Sequence, residues 1–130
     1  MTGLDTGYFV KFLQNHDRAV QVWKGIIDGE EALVSCLTLF ELKRLSLKGK
    51  IDPESTEIIL SGITSVCRII WLDREDMLLL GSSLSHGLGI PAVDSLILAG
   101  FIMQEADVIY TTDSDFERYK KREVKVVRLI

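Results

Sequence analysis

Short apolar runs alternate along the chain with longer segments whose apolar residues recur every three or four positions. Runs of four to six such residues read as buried strands, and the longer periodic segments as amphipathic helices. Strands are predicted at residues 1–5, 32–36, 68–72, 108–110 and 124–129. Helices are predicted at 8–13, 18–27, 38–48, 53–66, 74–84 and 91–104. Gly29 and Gly49 supply stop signals, and Asp52-Pro53 is a strong helix start, with aspartate as cap and proline at the first position. Asp73 is the expected cap of the following helix, residues 85–90 a glycine-containing loop, and residues 113–120 a polar loop or short helix. Strand–helix alternation predicts an α/β fold, a three-layer sandwich around a mainly parallel five-stranded sheet.

The 130 residues suit one domain, 1–130. An apolar fraction of 47% makes a disordered chain implausible and leaves some surplus to cover a partner or a second copy. Charge interrupts every apolar run before about 18 residues, so no membrane span is expected. The opening MTGLDTGYFVKF has no basic stretch followed by an apolar one, so no secretory signal is expected. Cys36 and Cys67 sit in apolar surroundings and read as free thiols, which fits a reducing cytoplasm. A net charge of −4 argues against gripping nucleic acid through overall basicity. It leaves open an enzyme that meets a phosphate backbone through a metal and a local basic patch.

Topology sorts the nineteen acids. Asp5 ends the first strand, and Asp113 follows the fourth. Glu41 lies in the first turn of the helix leaving the second strand. Asp94 lies in the first turn of the helix feeding the fourth strand, so it begins at the edge opposite that strand's start. All four therefore fall at the carboxyl edge of the sheet, where ligands bind in such folds. Asp115, two residues past Asp113, is either a further ligand or a solvated loop acid. Asp28, Glu30, Glu105 and Asp107 fall on the opposite edge, as surface residues or caps. Two carboxylates about 4 Å apart repel by roughly 4 kcal/mol at an effective dielectric of 20. Gathered carboxylates therefore call for a hard cation, Mg²⁺ or Mn²⁺. With only His16 and His86 and no cysteine motif, zinc is disfavoured.

Four segments, LDTGYFV (4–10), SCLTLFEL (35–42), IPAVDSLILAG (90–100) and IYTTDSDFERY (109–119), come in the order found in PIN-domain nucleases. The chain resembles that family, and within it the VapC-type toxins of toxin–antitoxin pairs. The resemblance implies a metal-dependent endoribonuclease. Asp5, Glu41, Asp94 and Asp113 would be its catalytic and metal-binding acids, and Asp115 a supporting one. Thr6 and Thr111 match hydroxyls that hold the site together. Gly7 departs from the pattern, which commonly has serine or another small residue there. The resemblance further implies an RNA substrate, a cognate antitoxin and a homodimer.

Lys43, Arg44, Lys48 and Lys50 form one basic stretch, and Arg118, Lys120, Lys121 and Arg122 another. Of these, Lys43, Arg44, Arg118 and Lys120 are the candidate RNA contacts. Three other readings keep parts of the pattern: a PIN nuclease of RNA maturation, a non-catalytic binding module, and a magnesium-binding receiver-like signalling domain. The last needs an acid pair after strand one, where only Asp5 stands.

Overall fold

Five strands and six α-helices alternate among the described residues, 1–121 and 123–130, of a computed structural model. In chain order they are β1 (Thr2–Leu4), α1 (Thr6–Leu13), α2 (Asp17–Ile27), β2 (Ala32–Ser35), α3 (Cys36–Leu47), α4 (Pro53–Val66) and β3 (Arg68–Ile70). There follow α5 (Glu75–Leu88), α6 (Ala92–Met103), β4 (Val108–Thr111), a 3₁₀ turn (Ser114–Arg118) and β5 (Lys125–Arg128).

All neighbouring strands are parallel, in the order β3-β2-β1-β4-β5. The chain builds outward from β1 to β3, then returns to the other side of β1 for β4. Because parallel crossovers are right-handed, that reversal moves the helices to the other face. The two cores record it. Leu4, Tyr8, Phe9, Trp23, Val34 and Leu42 pack on the face covered by α1–α4. Leu33, Ile70, Met77, Ile97, Phe101 and Ile109 pack under α5 and α6. Adjacent Leu33 and Val34 serve opposite faces, as the strand period requires. Burial on both faces is why the strands read as unbroken apolar runs. The expected α/β three-layer sandwich is observed, with the sheet wholly parallel. A receiver-like domain would have the order 2-1-3-4-5, so this topology excludes that alternative.

Three local expectations need correcting. Helix α5 runs through Ser85 and Gly87 to Leu88, where a loop was expected from residue 85. Isolated glycines inside a helix, here Gly81 and Gly87, are tolerated. The stop is Gly89, at φ 69°, a left-handed cap that glycine adopts without strain. The Arg118 guanidinium braces that end, donating from Nη1 to the carbonyls of Leu88 (3.2 Å) and Gly89 (2.8 Å). Asp73 caps nothing: α5 starts at Glu75, its cap position is Arg74, and no side chain accepts a hydrogen bond there. The third strand also stops at Ile70, leaving Trp71 58% exposed. Elsewhere the capping logic holds. Asp52 accepts from the Ser55 N–H at 2.9 Å, with Pro53 in the first turn. Cys36 and Cys67 are free thiols.

Candidate metal centre

β1 lies between β2 and β4, and the connections leaving β1 and β4 diverge to opposite faces. That switch point opens the crevice in which parallel sheets bind ligands. Asp5 closes β1 there. It is the N-cap of α1: Oδ1 accepts from the Tyr8 N–H at 2.9 Å, and Oδ2 accepts from the Thr111 hydroxyl. The side chain is only 5% exposed. Burial is the largest influence on it and outweighs those hydrogen bonds. Together with the charges of Asp113 and Glu41 it pushes the carboxyl up from 3.8 to about 6.

Thr111 also joins the two strand ends. Its Oγ1 accepts from the Asp113 N–H at 2.9 Å while its proton goes to Asp5. Asp113 in turn caps the 3₁₀ turn, taking the Asp115 N–H at 2.8 Å on Oδ1. That turn swings the Asp115 side chain back toward Asp113. Carboxylate oxygens of Asp94, Asp113 and Asp115 lie within 4.8 Å of one another, so Asp115 belongs to the cluster. Asp94 arrives from the first turn of α6. Its carboxyl is pushed up to about 7, first by burial, then by Asp113, close enough to share a proton, and by the charges of Glu41 and Asp5.

α3 begins at Cys36, so Glu41 reaches the crevice from its second turn rather than the expected first, held by Thr6, whose hydroxyl donates to Oε1 at 2.6 Å. The fully buried Thr38 hydroxyl lies 3.1 Å from that of Thr6. Thr6 has one proton and gives it to Glu41, so the proton between the two threonines comes from Thr38. Sequence reasoning missed Thr38. Its only signal is its place three residues before Glu41 on one helix face. Thr112 was missed as well. A Cβ on Gly7 would fall 1.9 Å from the Thr112 Oγ1, so the glycine lets α1 pack against the loop that carries Asp113. This accounts for the departure at Gly7.

The candidate RNA contacts divide. Lys43 Nζ pairs with Glu57 Oε1 at 2.5 Å, which ties α3 to α4. Arg118 pairs with Asp115 at 3.1 Å and braces the end of α5. Lys120 is exposed and lines a shallow pocket with Lys121, Leu84 and Leu88. Arg44 lines a cleft beside Thr6 and Glu41. Arg122 lies outside the described residues.

The family model of the PIN domain matches residues 4–122. The chain belongs to the PIN domain family. No curated protein sequence matches it. Among solved structures it is similar to a chain of the VapBC2 complex of Rickettsia felis bound to promoter DNA, at 20% identity and a TM-score of 0.76, covering 99% of this chain and 98% of that one. It is also similar to a chain of the DNA-bound VapBC complex of Salmonella typhimurium, at 16% identity and a TM-score of 0.73, covering 98% and 96%. A third is VapC20 of Mycobacterium tuberculosis, a toxin that cleaves the sarcin-ricin loop, at 16% identity and a TM-score of 0.63, covering 90% and 93%. At these identities the likeness is one of fold.

Proposed function

We propose that this PIN domain is a metal-dependent endoribonuclease and the toxin of a toxin–antitoxin pair. The observation that carries the reading is the grouping of Asp94, Asp113 and Asp115 within 4.8 Å, with Asp5 and Glu41 outside that group but close enough for their charges to act on Asp94, and with the carboxyls of Asp5 and Asp94 pushed well up from their ordinary values. That donor set fits Mg²⁺ or Mn²⁺: it is all carboxylate oxygen, and among the described residues Asp115 alone of its five acids has a cation beside it, Arg118. Asp94, Asp113 and Asp115 would hold the ion with Asp5, whose oxygens keep lone pairs beyond those used by Tyr8 and Thr111. When bound, the metal supplies an acidified water and neutralises charge developing on the phosphate. The protein's own part is positional. Thr111 fixes Asp5 against Asp113, and Thr6 fixes Glu41. Glu41 keeps Oε2 available to take the proton of a water that attacks phosphorus in line, as the P–O bond to the leaving oxygen breaks.

Several observations support the toxin reading over RNA maturation. The similar solved structures come from toxin–antitoxin complexes or an RNA-cleaving toxin. Phe40, Leu47 and Ile58 on α3 and α4, and Leu78 and Leu79 on α5, are exposed apolar residues of the kind an antitoxin or a second copy covers. Among the described residues no helix is long and apolar enough to cross a membrane. The cytoplasm is the proposed location. The test is cleavage of total RNA with Mg²⁺ or Mn²⁺, compared with the chelated protein and with Asp5→Asn. The reading expects metal-dependent fragments from the wild type alone; equal cleavage by the variant, or none by either, overturns it.

A further inference from the structure

The catalytic crevice is walled by carboxylates, yet its proposed substrate is a polyanion. Something beside it must hold the RNA against that repulsion. On α3, Arg44 and Lys48 lie three and seven residues beyond Glu41, on the same face and about 5 and 10 Å along the axis. With Thr6, Glu41 and Leu45 they line one cleft of about 100 Å³. Among the described residues neither cation has a salt-bridge partner, whereas Lys43 and Arg118 are both paired with carboxylates. Attraction to the negative end of α3 explains two cations near a helix C-terminus. It does not explain why both border the cleft that Glu41 shares and Thr6 of α1 closes.

We propose that Arg44 and Lys48 clamp the RNA phosphate next to the one being cleaved. Guanidinium and ammonium together suit a phosphate, the first by paired hydrogen bonds and the second as a point charge. Thr6 and Glu41 form the boundary between clamp and metal centre, so the strand passes from cationic wall to acidic crevice along one helix face. The proposal rests on the ribonuclease reading above.

The test is the double variant Arg44→Gln/Lys48→Gln, with Lys24→Gln on α2 as a charge control. Cleavage of a defined oligoribonucleotide is followed over a range of salt. The clamp predicts a KM raised about tenfold with kcat little changed. It predicts a slope of log(kcat/KM) against log salt shallower by about 0.7, the share of one single-strand phosphate. Mn²⁺ affinity by calorimetry should match the wild type. An unchanged KM and slope, or a matching loss in Lys24→Gln, overturns the proposal. So does a kcat loss that tracks lost Mn²⁺ binding. Anisotropy binding of the same oligonucleotide, with and without the two changes on an Asp5→Asn background, separates the two readings. If the wild type never cleaves yet this binding weakens tenfold, the ribonuclease reading fails and takes the clamp's place beside a cleaved phosphate with it, leaving Arg44 and Lys48 as RNA-binding residues only. If the wild type cleaves and binding is unaltered, the clamp fails alone.

Discussion

The two edges of the sheet carry similar numbers of acids and treat them oppositely. At the amino edge Asp28, Glu30, Glu105 and Asp107 are all exposed, and Asp107 pairs with the amine of Met1. At the carboxyl edge Asp5 is buried, and Asp94, Asp113 and Asp115 crowd together. Water disperses the charge of the first group at almost no cost. The second group is partly or wholly desolvated and self-repelling, and the capping roles of Asp5 and Asp113 do not explain why Asp94 and Asp115 join them. The contrast teaches that acid content says little about a site, and that convergence of acids outnumbering their paired cation, Arg118, says much. Folding stability is given up at one edge and not at the other, as a functional site demands.

The largest expected effect comes from neutralising the buried acid. Asp5→Asn should lower cleavage at least about a hundredfold. The same change should raise the melting temperature of the metal-free protein near pH 8, since asparagine can still cap α1 without a buried charge. Loss of activity with loss of fold would contradict this.

Next comes the pH dependence of the metal-free fold. Asp5 and Asp94 hold protons more tightly when folded than when unfolded. Their contribution to stability is therefore complete below the ordinary carboxyl value of 3.8, and it is lost as pH rises through about 6 and about 7. The melting temperature without metal should fall between about pH 5 and 8. Mg²⁺ should raise it more at pH 8 than at pH 5. A stabilisation by Mg²⁺ that is equal at both pH values would remove the charge contrast between the edges.

The threonine relay should act more gently. Thr6→Val should cost roughly tenfold in kcat by freeing Glu41, and Thr38→Val less, with serine restoring either. Gly7→Ala should destabilise by about 1–3 kcal/mol through overlap with Thr112. Thr112→Ala should recover part of that loss in a thermal melt. Smallest of all, Asp28→Asn at the amino edge should leave cleavage and metal affinity as they were.

Much of this contrast was legible in the sequence. Strand–helix alternation placed Asp5, Glu41, Asp94 and Asp113 on one edge and the four exposed acids on the other. The place of Asp115 was not legible, because it depends on the 3₁₀ turn that Asp113 caps. Two residues past a strand, a side chain faces the site or the solvent according to one backbone turn. Thr38 and Thr112 were hidden for a related reason. Each acts through a residue distant in sequence, Thr6 for one and Gly7 for the other. The end of α5 was misplaced because Gly87 and Gly89 look alike in sequence, and only Gly89 takes the left-handed conformation. Among the cations, residue type could not separate Lys43, held by Glu57, from Arg44, which borders the cleft.

Calorimetric titration of Mn²⁺ into the wild type and into Asp94→Asn/Asp113→Asn tests the central claim most directly. The carboxyl-edge acids as a metal site predict saturable binding by the wild type and its loss in a variant that melts as a folded protein. Equal binding by the two, or none by the wild type, would contradict it.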